Sequence, residues 1–205
     1  MSQIALPLAA HTDAAPLRVL LGAGNSSVVD VLGNPDTWPY ATAILTGPPR
    51  SGKSLIGRWF AEHRLGSVID DAERWDEVAL FHRWNQAQAD KSPLLLVVNR
   101  PQAAWVVRLP DLASRLASAL QLEIGPPDDA MLEGLIALHA EARALALGEG
   151  AAAYLSARCQ RAYHSVEALV AAIDRLSLER KVPPGMAVWR DALAEQNGAM
   201  QPRLL

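Results

Sequence analysis

Gly47-Pro48-Pro49-Arg50-Ser51-Gly52-Lys53-Ser54 satisfies the pattern G-x-x-x-x-G-K-S/T at every defined position. It follows the apolar run Ala43-Ile44-Leu45 and precedes a helical pattern from Lys53 to His63. A strand, a glycine-rich turn and a helix in that order form a phosphate-binding loop. Gly47 and Gly52 let backbone N–H groups curl around an anion with no Cβ in the way, while Pro48, Pro49, Arg50 and Ser51 form the turn between them. Lys53 brings charge to the β and γ phosphates, the Ser54 hydroxyl is placed for Mg²⁺, and the helix presents its positive end. The competing reading is a Gly/Pro-rich surface turn, which the flanking strand and helix disfavour.

Outward from this loop, short apolar runs alternate with helical patterns. Thr42 to Thr46, Ser67 to Ile69, Leu94 to Val98 and Leu120 to Ile124 read as strands, and Lys53 to His63 and Glu73 to Ala89 as helices. Such alternation predicts an α/β fold with a parallel sheet. After Gly125 the character changes. Pro126-Pro127-Asp128-Asp129 is a helix start with Gly148 as its stop. Further helices are expected at Ala151 to Arg158, from Ser165 with the stripe Val166, Leu169, Val170, Ile173 and Leu176, and at Met186 to Glu195. The expected organisation is a tail and linker over 1–16, an α/β nucleotide-binding base over 17–125 and an all-helical lid over 126–205.

Composition narrows the function classes. The 205 residues are half apolar and one fifth charged, the balance of an ordinary globular protein. A net charge of −3 with no basic block removes support for non-specific DNA binding, which needs clustered Lys and Arg. The single Cys159 can form no intramolecular disulfide, which makes a reducing cytoplasm the expected compartment and a buried thiol its expected state. No apolar run approaches the roughly 20 residues of a membrane span. His63, His82 and His139 lack partners at metal-ligand spacing, and Trp59, Trp75 and Trp84 read as core or interface residues.

The partner of a phosphate-bound metal is an acid at the end of another strand. Val68-Ile69-Asp70-Asp71 supplies two, Asp70 for the Mg²⁺ water shell and Asp71 beside the attacking water, with an acidic helix cap as the alternative. Asp70 lies seventeen residues after Lys53, room for one helix and a turn but not for the additional strand and helix usual between these motifs, so a shortened sheet is expected.

Two later stretches make the pattern specific. Leu94-Leu-Leu-Val-Val-Asn-Arg-Pro101 and Leu109-Pro-Asp-Leu-Ala-Ser-Arg-Leu116 resemble the AAA+ module of the replication initiator DnaA. The chain is most similar to the truncated Hda-type regulators that inactivate DnaA, over nearly its whole length. The resemblance implies a P-loop AAA+ base with a helical lid. It makes Asn99 sensor I, where the usual motif has Asp, and Arg115 an arginine finger at the start of an exposed helix. Gly22 and Asn25, in Val19-Leu-Leu-Gly-Ala-Gly-Asn25, match the adenine-pocket segment. Gln3-Ile4-Ala5-Leu6-Pro7-Leu8 resembles the peptide by which Hda proteins bind the polymerase sliding clamp, its β subunit; taken alone it is a frayed apolar terminus. Leu6 and Leu8 would fill an apolar pocket, Gln3 would bond its rim, and Ile4 and Pro7 complete the peptide.

The lid departs from the pattern. The position matching the sensor II arginine is His164, and a neutral imidazole does not clamp a phosphate as a guanidinium does. Arg161, expected on nearly the same helix face, can take the role; a solvated arginine is the plainer reading. The resemblance therefore implies binding of ADP or ATP with Mg²⁺, weak intrinsic hydrolysis, and DnaA and the sliding clamp as partners. It also implies no direct sequence-specific DNA binding, because the match ends with the lid. A homodimer is compatible with it. An autonomous AAA+ ATPase serving as a DNA-remodelling or loader subunit is the second reading. A small-molecule kinase is the third, and it leaves the tail and the Leu109 to Leu116 match unexplained.

Overall fold

The computed structural model describes residues 18–100 and 105–198. Strands β1 (Thr42–Thr46), β2 (Ser67–Ile69), β3 (Leu94–Val97) and β4 (Leu120–Glu123) form one parallel sheet in the order β2-β3-β1-β4. Ile44 of β1 sits opposite Leu96 of β3 and Gln121 of β4, and Ile69 of β2 is also opposite Leu96. Each expected strand is present, two of them one residue shorter at the C-terminal end. The shortened sheet is visible as the absence of any strand between β1 and β2, which a single helix connects.

Alternation along the strands assigns the two faces of this sheet. Ile44, Leu94, Leu96 and Val98 pack with Leu80 and Trp84 of α3 (Glu77–Ala89) and with Leu112 and Leu116 of α4 (Pro110–Ser118). The opposite face receives α2 (Lys53–Glu62), where Gly57 lies against Val68 and Val97 and Phe60 stacks on Trp38 at 5.4 Å. β3 is buried along its whole length, which is why it reads as an unbroken apolar run. All four strands run the same way, so every loop after a strand opens on one edge of the sheet.

The helix boundaries refine the sequence reading. A short helix α1 (Ser26–Leu32) lies where no helix is evident from the sequence. The helix expected from Glu73 starts at Glu77, because the Asp76 carboxylate caps it by accepting from Ala79 N at 2.9 Å, while Ala72–Arg74 forms a separate 3₁₀ turn. Trp75 falls between the two and is exposed, whereas Trp84 is buried.

The chain divides into two compact units at Gly125 and Pro126. The second unit contains α5 (Asp129–Ala142), α6 (Ala151–Ser156), α7 (Tyr163–Arg180) and α8 (Met186–Gly198). Asp128 caps α5 by accepting from Met131 N at 2.7 Å, and α5 stops six residues before Gly148 rather than running to it. The stripe on α7 is buried at every expected position, from Val166 to Leu176, against Leu132, Ile136, Leu155 and Trp189. Arg175 with Glu195, and Arg180 with Asp191, tie α7 to α8. Cys159 is buried in this unit, and burial pushes its thiol up. Among the described residues no helix is long and apolar enough to cross a membrane.

Candidate functional site

Local chain geometry builds the phosphate loop. Gly47 leaves β1 at φ +150°, and a Cβ there would meet the Ile124 Cβ at 2.8 Å. Gly52 enters α2 at φ +86°, a left-handed conformation that glycine adopts without cost. Arg50 also sits at positive φ, so the turn holds one non-glycine residue in a sparsely populated region. Ser51 N donates to Pro48 O at 3.3 Å, and Ile56 N to Gly52 O at 2.9 Å, which closes the turn onto the helix.

Inside this turn Lys53 is buried, and its ammonium donates to Gly47 O at 3.0 Å and Pro48 O at 2.9 Å. Desolvation lowers the Lys53 pKa from its ordinary value; Glu73, Asp70 and Asp71 oppose that shift in decreasing order. Two features fit a phosphate. No side chain caps the N-terminus of α2, and the Ser51 hydroxyl is buried without a hydrogen-bond partner. Uncapped N–H groups at a helix start form an anion site, and an unsatisfied buried hydroxyl calls for an explanation. Ser54 follows in the first turn, half-buried.

The acids lie at the end of β2 on the same sheet edge. Asp70 is exposed and its Oδ1 accepts from Asp71 N at 3.0 Å. Asp71 adopts φ +51°, a strained conformation for a residue with a side chain. Its Oδ1 accepts from Asn99 Nδ2 at 2.6 Å, and its Oδ2 faces Arg74 at 3.7 Å. Asn99, just past β3, thus touches Asp71. Glu73 is the participant that the reading missed. Its carboxylate accepts from Asn99 N at 3.2 and 3.3 Å and heads the carboxylates acting on Lys53. The run Asp70-Asp71-Ala72-Glu73 carried the signal. Among the described residues no group of three His, Cys, Asp or Glu side chains could hold a metal unaided. A Mg²⁺ here would take the rest of its shell from phosphate and water, as it commonly does.

On the other side of the loop, Asn25 is buried and pins a turn, its Oδ1 accepting from Gly22 N at 2.9 Å and its Nδ2 donating to Leu20 O at 2.8 Å. Gly125 N donates to Gly24 O at 2.8 Å, which sets this turn against the end of β4, next to Ile124 and hence Gly47. Asn25 therefore shapes the segment, and its amide is spent on backbone.

Arg115 requires a correction of place. It lies in the last turn of α4, not at its start, and is half-buried. Its guanidinium carbon sits 4.5 Å from the Phe81 ring centroid and 4.3 Å from that of Trp84, and Nη1 donates to Asn85 Oδ1. The arginine thus rests on α3. In the second unit, Arg161 is also corrected: it precedes α7, and it pairs with Asp129 at 2.6 Å on the surface. His164 is exposed in the first turn of α7, with Nε2 3.3 Å from Ser165 Oγ. Gln3, Ile4, Leu6, Pro7 and Leu8 lie outside the described residues.

No family model matches the chain, and no curated protein matches it by sequence. Solved structures do. Domain III of the replication initiation protein DnaA from Thermotoga maritima superposes with a TM-score of 0.66 at 14% identity, covering 85% of this chain and 93% of that one. AMPPCP-bound DnaA from Aquifex aeolicus gives 0.63 at 14% identity, covering 89% of this chain and 69% of that one. The RuvB Holliday junction branch migration motor of Thermotoga maritima gives 0.56 at 15% identity, covering 75% and 61%. The chain therefore has the AAA+ fold, an α/β base with a parallel sheet followed by a helical unit. That likeness covers DnaA and RuvB alike and does not single out the Hda type.

Proposed function

We propose that this protein is a nucleotide-binding regulator of the Hda type. It holds ADP or ATP with Mg²⁺, docks on the sliding clamp through Gln3 to Leu8, and lends Arg115 to ATP bound on DnaA, so restraining re-initiation of replication. The observation that carries the nucleotide part is the buried Lys53 in a turn with an unpartnered Ser51 hydroxyl and an uncapped helix start. A phosphate chain satisfies the lysine, the hydroxyl and the helix start at once: Lys53 exchanges loop carbonyls for phosphate oxygens, and the N–H groups of Gly52, Lys53 and Ser54 turn toward charge. When bound, Mg²⁺ neutralises charge on the phosphates. Ser54 and Asp70 are the residues that would hold it.

Weak turnover by the protein alone follows from the engagement of Asp71. One of its oxygens accepts a short bond from Asn99 and the other faces Arg74, so both are engaged where an attacking water would have to be held. His164 in place of a sensor II arginine supports the same conclusion. The DnaA-directed part is supported by the Leu109 to Leu116 resemblance and by the DnaA-like fold. An arginine delivered in trans stabilises charge developing on the transferred phosphoryl group, an effect worth about 10³ to 10⁵ in rate in GTPase systems.

The test is hydrolysis of DnaA-bound ATP in the presence of clamp loaded on DNA, with and without this protein. Acceleration that disappears when the clamp is omitted supports the reading. The triple variant Gln3→Ala, Leu6→Ala, Leu8→Ala should lose co-elution with clamp while keeping its ADP affinity. Steady-state turnover of order one per second by the protein alone, abolished by Asp71→Asn, would favour the autonomous ATPase instead.

A further inference from the structure

Glu73 and Glu77, one helical turn apart in sequence, each grip backbone N–H groups of the chain between β3 and α4. Glu73 takes Asn99 N. Glu77 accepts from Arg108 N at 3.0 Å on both oxygens and from Leu109 N at 2.7 Å. Leu109 is the residue that caps α4, and an apolar side chain offers no cap of its own. The Glu77 carboxylate bonds the two N–H groups that lead into the helix, those of Arg108 and Leu109, and places a charge of the right sign beside its N-terminus.

α4 has nine residues, fewer than the roughly 12 to 15 that an isolated helix needs, so its position depends on tertiary anchors. Its other end is anchored by Arg115 on Phe81, Trp84 and Asn85. Counted from Glu77, those three residues are at i+4, i+7 and i+8, so one face of α3 carries both anchors of α4. Sliding the entry of α4 away from Glu77 moves Arg115 off the rings by the same displacement.

We infer that Glu77 is a positioning residue for Arg115, setting where α4 begins and hence where the guanidinium is presented. Its functional consequence rests on the role proposed for Arg115 above; the positional relation does not. A carboxylate is needed because two N–H donors converge on it. In Glu77→Gln one oxygen becomes an amide donor facing donors.

The experiment compares the full chain with Glu77→Gln, Arg115→Ala and the double variant. Amide exchange at Arg108, Leu109 and the α4 residues should accelerate about tenfold in Glu77→Gln, while that of α7 stays unchanged. Stimulation of hydrolysis on DnaA should fall at least tenfold with ADP affinity intact, and the double variant should lose no more than Arg115→Ala alone. Unchanged α4 exchange, or losses that simply add, would overturn the inference. If Arg115→Ala keeps full stimulation, the proposed function fails and the positional relation is judged apart from it. Glu77→Gln must then reproduce the near-ultraviolet dichroism change that Arg115→Ala produces at Trp84, and a different spectrum refutes it. Glu77→Asp, which keeps the charge but withdraws it by one methylene, gives a second variant with the same expected direction.

Discussion

Lys53 and Arg115 are two cations that the sequence singles out, and the molecule treats them differently. Lys53 is held by carbonyls five and six residues away within its own loop, in a pocket whose shape comes from two glycines. Arg115 is held by a helix thirty residues earlier in the chain, through aromatic faces and an amide. In the proposed function the first cation meets an anion inside its own unit and the second serves a partner. A buried ammonium resting on carbonyls gains when phosphate replaces them. A guanidinium over two rings is already in favourable contact, so the use in trans proposed for it would draw on an edge of the group that those contacts leave open.

The sharpest way to break this contrast is Arg115→Ala. If the arginine acts on DnaA, stimulated hydrolysis should fall about 10³-fold or more, with ADP affinity unchanged in calorimetry. Loss of the ring and Asn85 contacts should also cost about 1 to 2 kcal/mol in denaturant unfolding. A variant that pays this stability cost and still stimulates fully would make Arg115 a packing residue.

Lys53→Ala should reduce ADP affinity about 100-fold, about 3 kcal/mol, because a charge-assisted contact to phosphate disappears. Titration calorimetry checks it, and unchanged affinity would place the nucleotide elsewhere. The smallest effect is expected for Asn99→Ala. Releasing Asp71 from the 2.6 Å bond should raise intrinsic turnover about tenfold. A fall in turnover would instead show that the Asn99 amide serves the phosphates.

The phosphate loop was legible because a contiguous eight-residue motif dictates its own hydrogen bonds, and β1, β3 and the α7 stripe because burial imprints a period on the chain. The start of α3 is hidden in the sequence because apolar residues on either side of Asp76 continue a helical pattern across a cap. Counting along the chain puts Arg161 on the face of α7, but the helix begins only at Tyr163, after an extended Ala162.

The sequence alone determined the phosphate-loop motif and its turn, the parallel α/β base, the shortened connection from Lys53 to Asp70 and the helical nature of the second unit. Each of these rests on neighbours in the chain or on a repeating pattern of burial. Only tertiary structure decided that Glu73 joins the site through Asn99, that Glu77 holds the entry of α4, and that Arg115 lies across Phe81 and Trp84. These contacts span 26 to 32 residues, and Glu73 and Glu77 look in sequence like ordinary surface acids. Their partners are mostly backbone N–H groups, which every residue but proline carries, so no side-chain pattern marks them until the sheet brings the strand ends together.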